Sequence, residues 1–185
     1  MTDEILADGP VGYWPLRGHT NDLSGNGNHL TIHTAGGFAY GYYWPIGDSG
    51  SRGDQLWDTG VAFGAGDWTL EFRIERYDLG AYVSFCDDIA TGAGGRWAGT
   101  GIEWANGAGY TYIAPDVSAG YFSHFAAVNS GGTLTVYHGR HYNGGPATIE
   151  HTWTLTGQTG VGNLILGGGH AFYAEVAFFN YALSE

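Results

Sequence analysis

Three groups of residues have the types and spacing to do chemistry. In the first, Asn21, Asp22, Ser24, Asn26 and Asn28 are threaded through Gly25 and Gly27, which places several side-chain and carbonyl oxygens close together. Such a run suits a hard cation such as calcium, which takes roughly 6 to 8 oxygens. It equally suits a self-capped turn in which short polar side chains bond their own backbone. In the second, Glu71, Arg73 and Glu75 alternate and so share one strand face. Paired carboxylates on a strand could serve glycoside hydrolysis, whereas the plainer reading is a polar outward face with an ion pair. In the third, Trp97, Trp104, Tyr110 and Tyr112 stand near Asn106 and Asp87. Aromatic faces stack on the apolar C–H faces of sugars, and amides and acids bind hydroxyls. The same aromatics would also suit a subunit interface or plain core packing.

Other chemistry finds little support. His138 and His141 have a spacing that would serve a metal on a helix, yet they fall in a turn, and His124 opens a strand as a hydrogen-bonded core or edge residue. No nucleophile elbow, phosphate loop or zinc spacing occurs, and the glycines of residues 92–101 fail the dinucleotide fingerprint. Cys86 is the single cysteine, which excludes an internal disulfide.

The elements that must position these residues are strands. Glycine fills 34 of 185 positions, aromatics 16% and charged residues 13%, so turns are many and the apolar content of 43% argues against disorder. A chain of this length suits one domain over residues 1–185. GYWPLRGHTNDLSGNGNH (residues 12–29) couples a short aromatic strand to a polar loop. Residues 68–76 alternate cleanly, with Trp68, Leu70, Phe72 and Ile74 on one face, and predict the strongest strand. Residues 123–128 and 133–138 flank NSGG, a hairpin signal, and should pair antiparallel. Residues 36–45 read as a strand pair or a loop, and residues 92–109 as a loop or hairpin carrying Arg96, Trp97 and Trp104 out of the core or over it. No helix of ordinary length is expected. The fold class is all-β, an antiparallel sandwich of two sheets.

A formal net charge of −12 would repel a nucleic-acid backbone or an anionic membrane surface, so neither is an expected partner. No apolar run approaches the length of a bilayer span, and MTDE at the start lacks the character of a signal peptide.

Four stretches together resemble the concanavalin A-like lectin/glucanase superfamily, and within it the laminin-G-like jelly rolls. They are ADGPVGYWPL with DLSGNGNH (residues 7–16 and 22–29), GDWTLEF (66–72), HFAAV with GTLTVY (124–128 and 132–137), and LILGG through AEVAFFNYALS (164–168 and 174–184). The resemblance implies a jelly-roll sandwich. It also implies a calcium site in which Asp22 and carbonyls near Gly25 and Asn28 are completed by Glu175. Departures are Ala174-Glu175 where the family usually has an acidic pair, and His138-Gly139 where it has Asp-Gly. In the family's glucanases an Asp stands where Arg73 does, so hydrolysis is not expected. The form LADGPVGYW (residues 6–14) further resembles modules of bacteriophage tail and other virion proteins. That likeness implies a non-enzymatic virion module, in a tail or decorating a capsid. Its expected partners are other virion proteins, identical subunits or cell-surface carbohydrate, and its expected setting is the virion or otherwise the cell exterior. A free carbohydrate-binding lectin is the alternative.

Overall fold

Strict alternation builds the strand at the centre of the molecule. Trp68, Leu70, Phe72 and Ile74 are each buried, while Glu71, Arg73 and Glu75 between them face the other way. Burying each such apolar side chain is worth about 1.5–3 kcal/mol, so the face that turns inward is fixed by the pattern. The computed structural model describes residues 2–32, 36–39, 42–45, 56–64, 66–76, 83–88, 93–98, 101–106, 110–115, 122–140, 148–156, 162–167 and 171–184. The chain opens with a short helix, α1 (Thr2–Ala7), followed by β1 (Gly12–Trp14), β2 (Thr31–Ile32), β3 (Gly36–Ala39), β4 (Tyr42–Pro45) and β5 (Leu56–Phe63). Next come β6 (Trp68–Arg76), β7 (Val83–Asp88), β8 (Ala93–Ala98), β9 (Gly101–Asn106) and β10 (Tyr110–Pro115). The remaining strands are β11 (Phe122–Ser130), β12 (Thr133–Arg140), β13 (Thr148–Thr156), β14 (Gly162–Gly167) and β15 (Ala171–Phe179).

These strands form an all-β sandwich. One layer is a sheet in the order β13-β12-β11-β6-β15-β4-β3, with β1 also paired to β15. The other combines β10-β9-β8-β7 with β14-β5-β2, because β14 runs beside β7. Every pairing described is antiparallel. The core between the layers takes Trp14, Leu16, Phe72, Phe125, Val136, Leu164 and Val176 from both sheets. β11 and β12 pair across Gly131 and Gly132, whose φ of 56° and 79° fit the tight hairpin turn expected from NSGG. Residues 36–45 contain a strand pair, β3 with β4.

The helix α1 is an addition to the expected strands. Its Ile5 and Leu6 pack with Leu183 on Tyr13, Ala177 and Phe179, a second apolar cluster on the outer face of the large sheet. Tyr13 and Trp14, adjacent in β1, therefore serve opposite faces: Trp14 enters the main core and Tyr13 the outer cluster. Gly12 precedes them for a steric reason. A Cβ at Gly12 would stand 2.3 Å from Cη2 of Trp14. The Gly12→Ala protein is expected to lose about 1–3 kcal/mol of stability, as overpacked cores do. Urea unfolding measures it, and an unchanged midpoint would show that the indole has room to move.

Candidate functional site

The polar run after β1 folds back on that strand through one carboxylate. Asp22 is buried. Its Oδ1 accepts from the backbone N–H groups of Tyr13 at 2.9 Å and Ser24 at 2.8 Å. Its Oδ2 accepts from the Ser24 hydroxyl at 2.8 Å and the Asn28 N–H at 2.9 Å. Four donors occupy the four lone-pair sites a carboxylate offers. Burial works to raise the Asp22 pKa, but these hydrogen bonds outweigh it and hold the carboxyl below its ordinary value. Around this centre Asn26 and Asn28 donate their side-chain amides to the Val11 carbonyl, at 3.0 and 2.8 Å. The Trp14 indole donates to the Asn28 carbonyl at 2.7 Å. Gly25 and Gly27, with φ of 90° and 77°, supply the left-handed turns.

Glu175 does different work at the other end of Tyr13. It is a non-glycine residue at φ 52°, and it is the extra residue where β15 slips by one against β6, between Ala174↔Arg73 and Ala177↔Glu71. The bulge turns its N–H to the Pro15 carbonyl at 3.2 Å and its carboxylate to the Arg17 guanidinium and the Tyr13 hydroxyl, both of which donate to it. The Tyr13 phenol is pushed up to about 12, first by burial and then by its donation to Glu175. Asp22, Gly25, Asn28 and Glu175 are the residues expected in one calcium shell, and oxygens of three of them already have partners within the fold. Asp22 spends both oxygens on donors from β1 and its own loop, Asn28 gives its carbonyl to an indole, and Glu175 is ion-paired to Arg17. Among the described residues no cluster of three or more His, Cys, Asp or Glu could hold a metal ion. The self-capped turn is the arrangement found.

The aromatic group divides. Trp104, on β9, is 2% exposed and stacks on Trp68 with ring centroids 6.2 Å apart and planes 20° from parallel. Of the three alternatives of ligand contact, subunit interface and core packing, Trp104 takes core packing, because its strand turns it toward β6. In register Trp104 stands opposite Gly95 and Thr111, whereas Tyr110 and Tyr112 stand opposite Ala105 and Glu103, so the tryptophan and the tyrosines occupy different rows. Asp87, Trp97 and Asn106 lie on β7, β8 and β9. The side chains of Asp87, Trp97, Asn106, Tyr110 and Tyr112 fall outside the described residues.

A concave site forms elsewhere, on the outer face of the large sheet. Antiparallel register lines up Glu71, Ala126, Tyr137 and Thr152 in one row across β6, β11, β12 and β13. The rows on either side contribute Thr69 with Val128, and His124 with Gly139 and Ile149. Small residues at Ala126 and Gly139 leave a hollow between larger neighbours. The C-terminal segment banks one side: Thr69 donates its hydroxyl to the Tyr181 carbonyl at 3.0 Å and accepts from the Leu183 N–H at 2.9 Å. The resulting groove has a volume of about 420 Å³ and is edged by Tyr137, Ile149, Leu183 and Ser184. Glu71 lies in it with its carboxyl pKa raised, by burial first and by the negative charge of Asp8 second. Sequence reading places Glu71 on an outward polar face, and outward it is, but the central position of β6 and the C-terminal bank leave it half-buried. Alternation around Ala126 and Gly139 was the signal for the hollow, legible only once the strand register is known.

No protein-family model matches the chain, and no curated protein matches it. Solved structures do share its fold. Trypanosoma rangeli sialidase in complex with sialic acid aligns over 96% of this chain with a TM-score of 0.64 and 10% identity, and the match spans only 31% of the sialidase. The VIP36 exoplasmic/lumenal domain, in a Ca2+/Man-bound form, aligns over 94% of this chain and 91% of its own, with a TM-score of 0.57 and 10% identity. The carbohydrate-binding module CBM66 from Bacillus subtilis aligns over 81% of this chain and 94% of its own, with a TM-score of 0.53 and 13% identity. At such identities the likeness speaks to fold, and it is consistent with the concanavalin A-like sandwich expected from the sequence.

Proposed function

We propose that this chain is a non-catalytic carbohydrate-binding module whose glycan lies in the groove on the outer face of the large sheet. The observation that carries the reading is the groove itself. It combines an aromatic edge at Tyr137, an apolar floor at Ala126 and Val128, and polar groups at Glu71 and Thr152. Ligand sites are built in this way, mostly apolar with a few placed hydrogen-bonding groups. Two neighbours whose own lengths are nearly covered are a mannose-bound domain and a carbohydrate-binding module, which supports the same class.

Spacing supports the non-catalytic part. Glu71 and Glu75 are four residues apart on a regular strand, roughly 13 Å by strand rise. Glycosidase carboxyl pairs stand about 5–5.5 Å apart in retaining enzymes and about 6.5–9.5 Å apart in inverting ones. The place of work is a separate matter. The likeness of residues 6–14 to phage tail modules supports a virion setting, and none of the neighbours named above adds to it. Co-sedimentation of the chain with particles tests that setting.

For the binding itself the test is a glycan array followed by calorimetry on the best glycan. Tyr137→Ala should weaken binding about tenfold, equivalent to roughly 1.4 kcal/mol, with the unfolding midpoint little changed. Either a blank array or an unaffected Tyr137→Ala protein would remove the groove from the account.

A further inference from the structure

A strand at the edge of a sheet offers a row of backbone donors and acceptors to whatever strand comes beside it. Among the described residues β13 is the outermost strand on one side of the large sheet, and it is nine residues long. Its sequence, TIEHTWTLT, has none of the Lys, Arg or Pro residues that commonly blunt such an edge. Its one charged residue, Glu150, is set aside by a bulge, where the pairing with β12 passes from His138↔His151 to Gly139↔Ile149. From His151 to Thr156 the register is unbroken. Along this run the two faces differ. His151, Trp153 and Leu155 stand opposite the buried His138, Val136 and Leu134, which puts them on the inner face at the rim of the core. There Trp153 and Leu155 are half-buried, and the exposed His151 stacks its ring on Trp153 at 5.4 Å. Thr152, Thr154 and Thr156 are exposed on the outer face.

We propose that β13 pairs antiparallel with β13 of a second copy of this chain, about a two-fold axis at Trp153. That axis sets Trp153 opposite Trp153, His151 opposite Leu155 and Thr152 opposite Thr154. Aromatic pairs and Thr–Thr pairs are among the cross-strand contacts that stabilise sheets, and the rim residues gain cover they lack in one copy. Neighbouring registers are poorer. An axis at Thr152 would draw the bulged Glu150 into the ladder, and one at Thr154 would part the two indoles and face His151 with Gly157, which has no side chain to cover it. The contact is isologous, so the assembly closes at two copies. Both outer faces then lie on the same side of one continuous sheet. Each copy has a formal net charge of −12, so repulsion opposes the pairing and salt relieves it.

Sedimentation velocity on the intact chain over a concentration series should show a monomer–dimer equilibrium, at least about fivefold tighter at moderate salt than at low salt. The register is read by mixing Thr152→Cys and Thr154→Cys chains under mild oxidation, both positions being exposed. The mixture should give a disulfide-linked dimer and neither variant alone should, because diagonal neighbours across a ladder are ~7–8 Å apart, beyond the reach of a disulfide. The unaltered chain, which keeps Cys86, sets the background. A chain that stays monomeric at every concentration, moderate salt included, would overturn the proposal and leave the edge to a strand of another protein. A dimer that cross-links equally in the mixture and in each variant alone would overturn it in favour of a different surface.

Discussion

Replacing Trp104 with Ala is expected to cost about 3–5 kcal/mol of stability, the range for removing a large aromatic from a packed core. The indole is 2% exposed and stacks on Trp68, which stacks in turn on Phe178 at 6.3 Å, so three strands of two different sheets meet through it. Its removal opens a cavity where the layers touch. Urea unfolding gives the cost directly. Trp104→Phe keeps part of the stack and should lose less, so the comparison stands even if the alanine protein folds poorly. At temperatures where the Phe protein is folded, its glycan affinity should match that of the unaltered chain. A Trp104 variant of normal stability that loses glycan binding would return this residue to the role of a ligand platform.

Asp22→Ala is expected to be nearly as damaging, at about 3 kcal/mol, because it strands several backbone and hydroxyl donors in a partly buried loop. The same carboxylate sets a pH dependence. Its folded pKa lies below the unfolded value, so the stability it contributes is present above the unfolded pKa and is lost as pH falls through the folded one. The unaltered chain should therefore lose stability on acidification below the ordinary carboxylate range, and Asp22→Asn should flatten that part of the curve. EDTA should leave the unfolding midpoint unchanged. A midpoint that falls in EDTA and is restored by calcium would show that the loop recruits an ion after all.

What could be read from the sequence follows from how local the physics is. β6 is legible because apolar and polar residues alternate through nine positions, and the β11–β12 turn because two glycines stand where the backbone must be left-handed. The polar run around Asp22 is legible as a turn, yet the competition between ion and self-capping is decided by Tyr13 and Asn28, whose backbone donors reach Asp22 from outside the Asx turn itself. Trp104 is harder, since the glycines around it give no alternation from which to tell inward from outward. The bulge at Glu175 goes against propensity, because a non-glycine residue rarely takes a positive φ. Its cause is tertiary: the slip brings the carboxylate to Arg17 and Tyr13. The groove needs register between strands far apart in sequence, which places Ala126 between Glu71 and Tyr137. No local pattern contains that information.

The central claim is that glycan binds on the outer face of the large sheet, and amide chemical-shift mapping during a titration with the best array glycan tests it most directly. The account predicts that the shifted amides cluster at Glu71, Ala126, Tyr137, Thr152 and the C-terminal bank near Leu183. Shifts confined to β8–β10 or to the Asp22 loop, with the outer face silent, would contradict it.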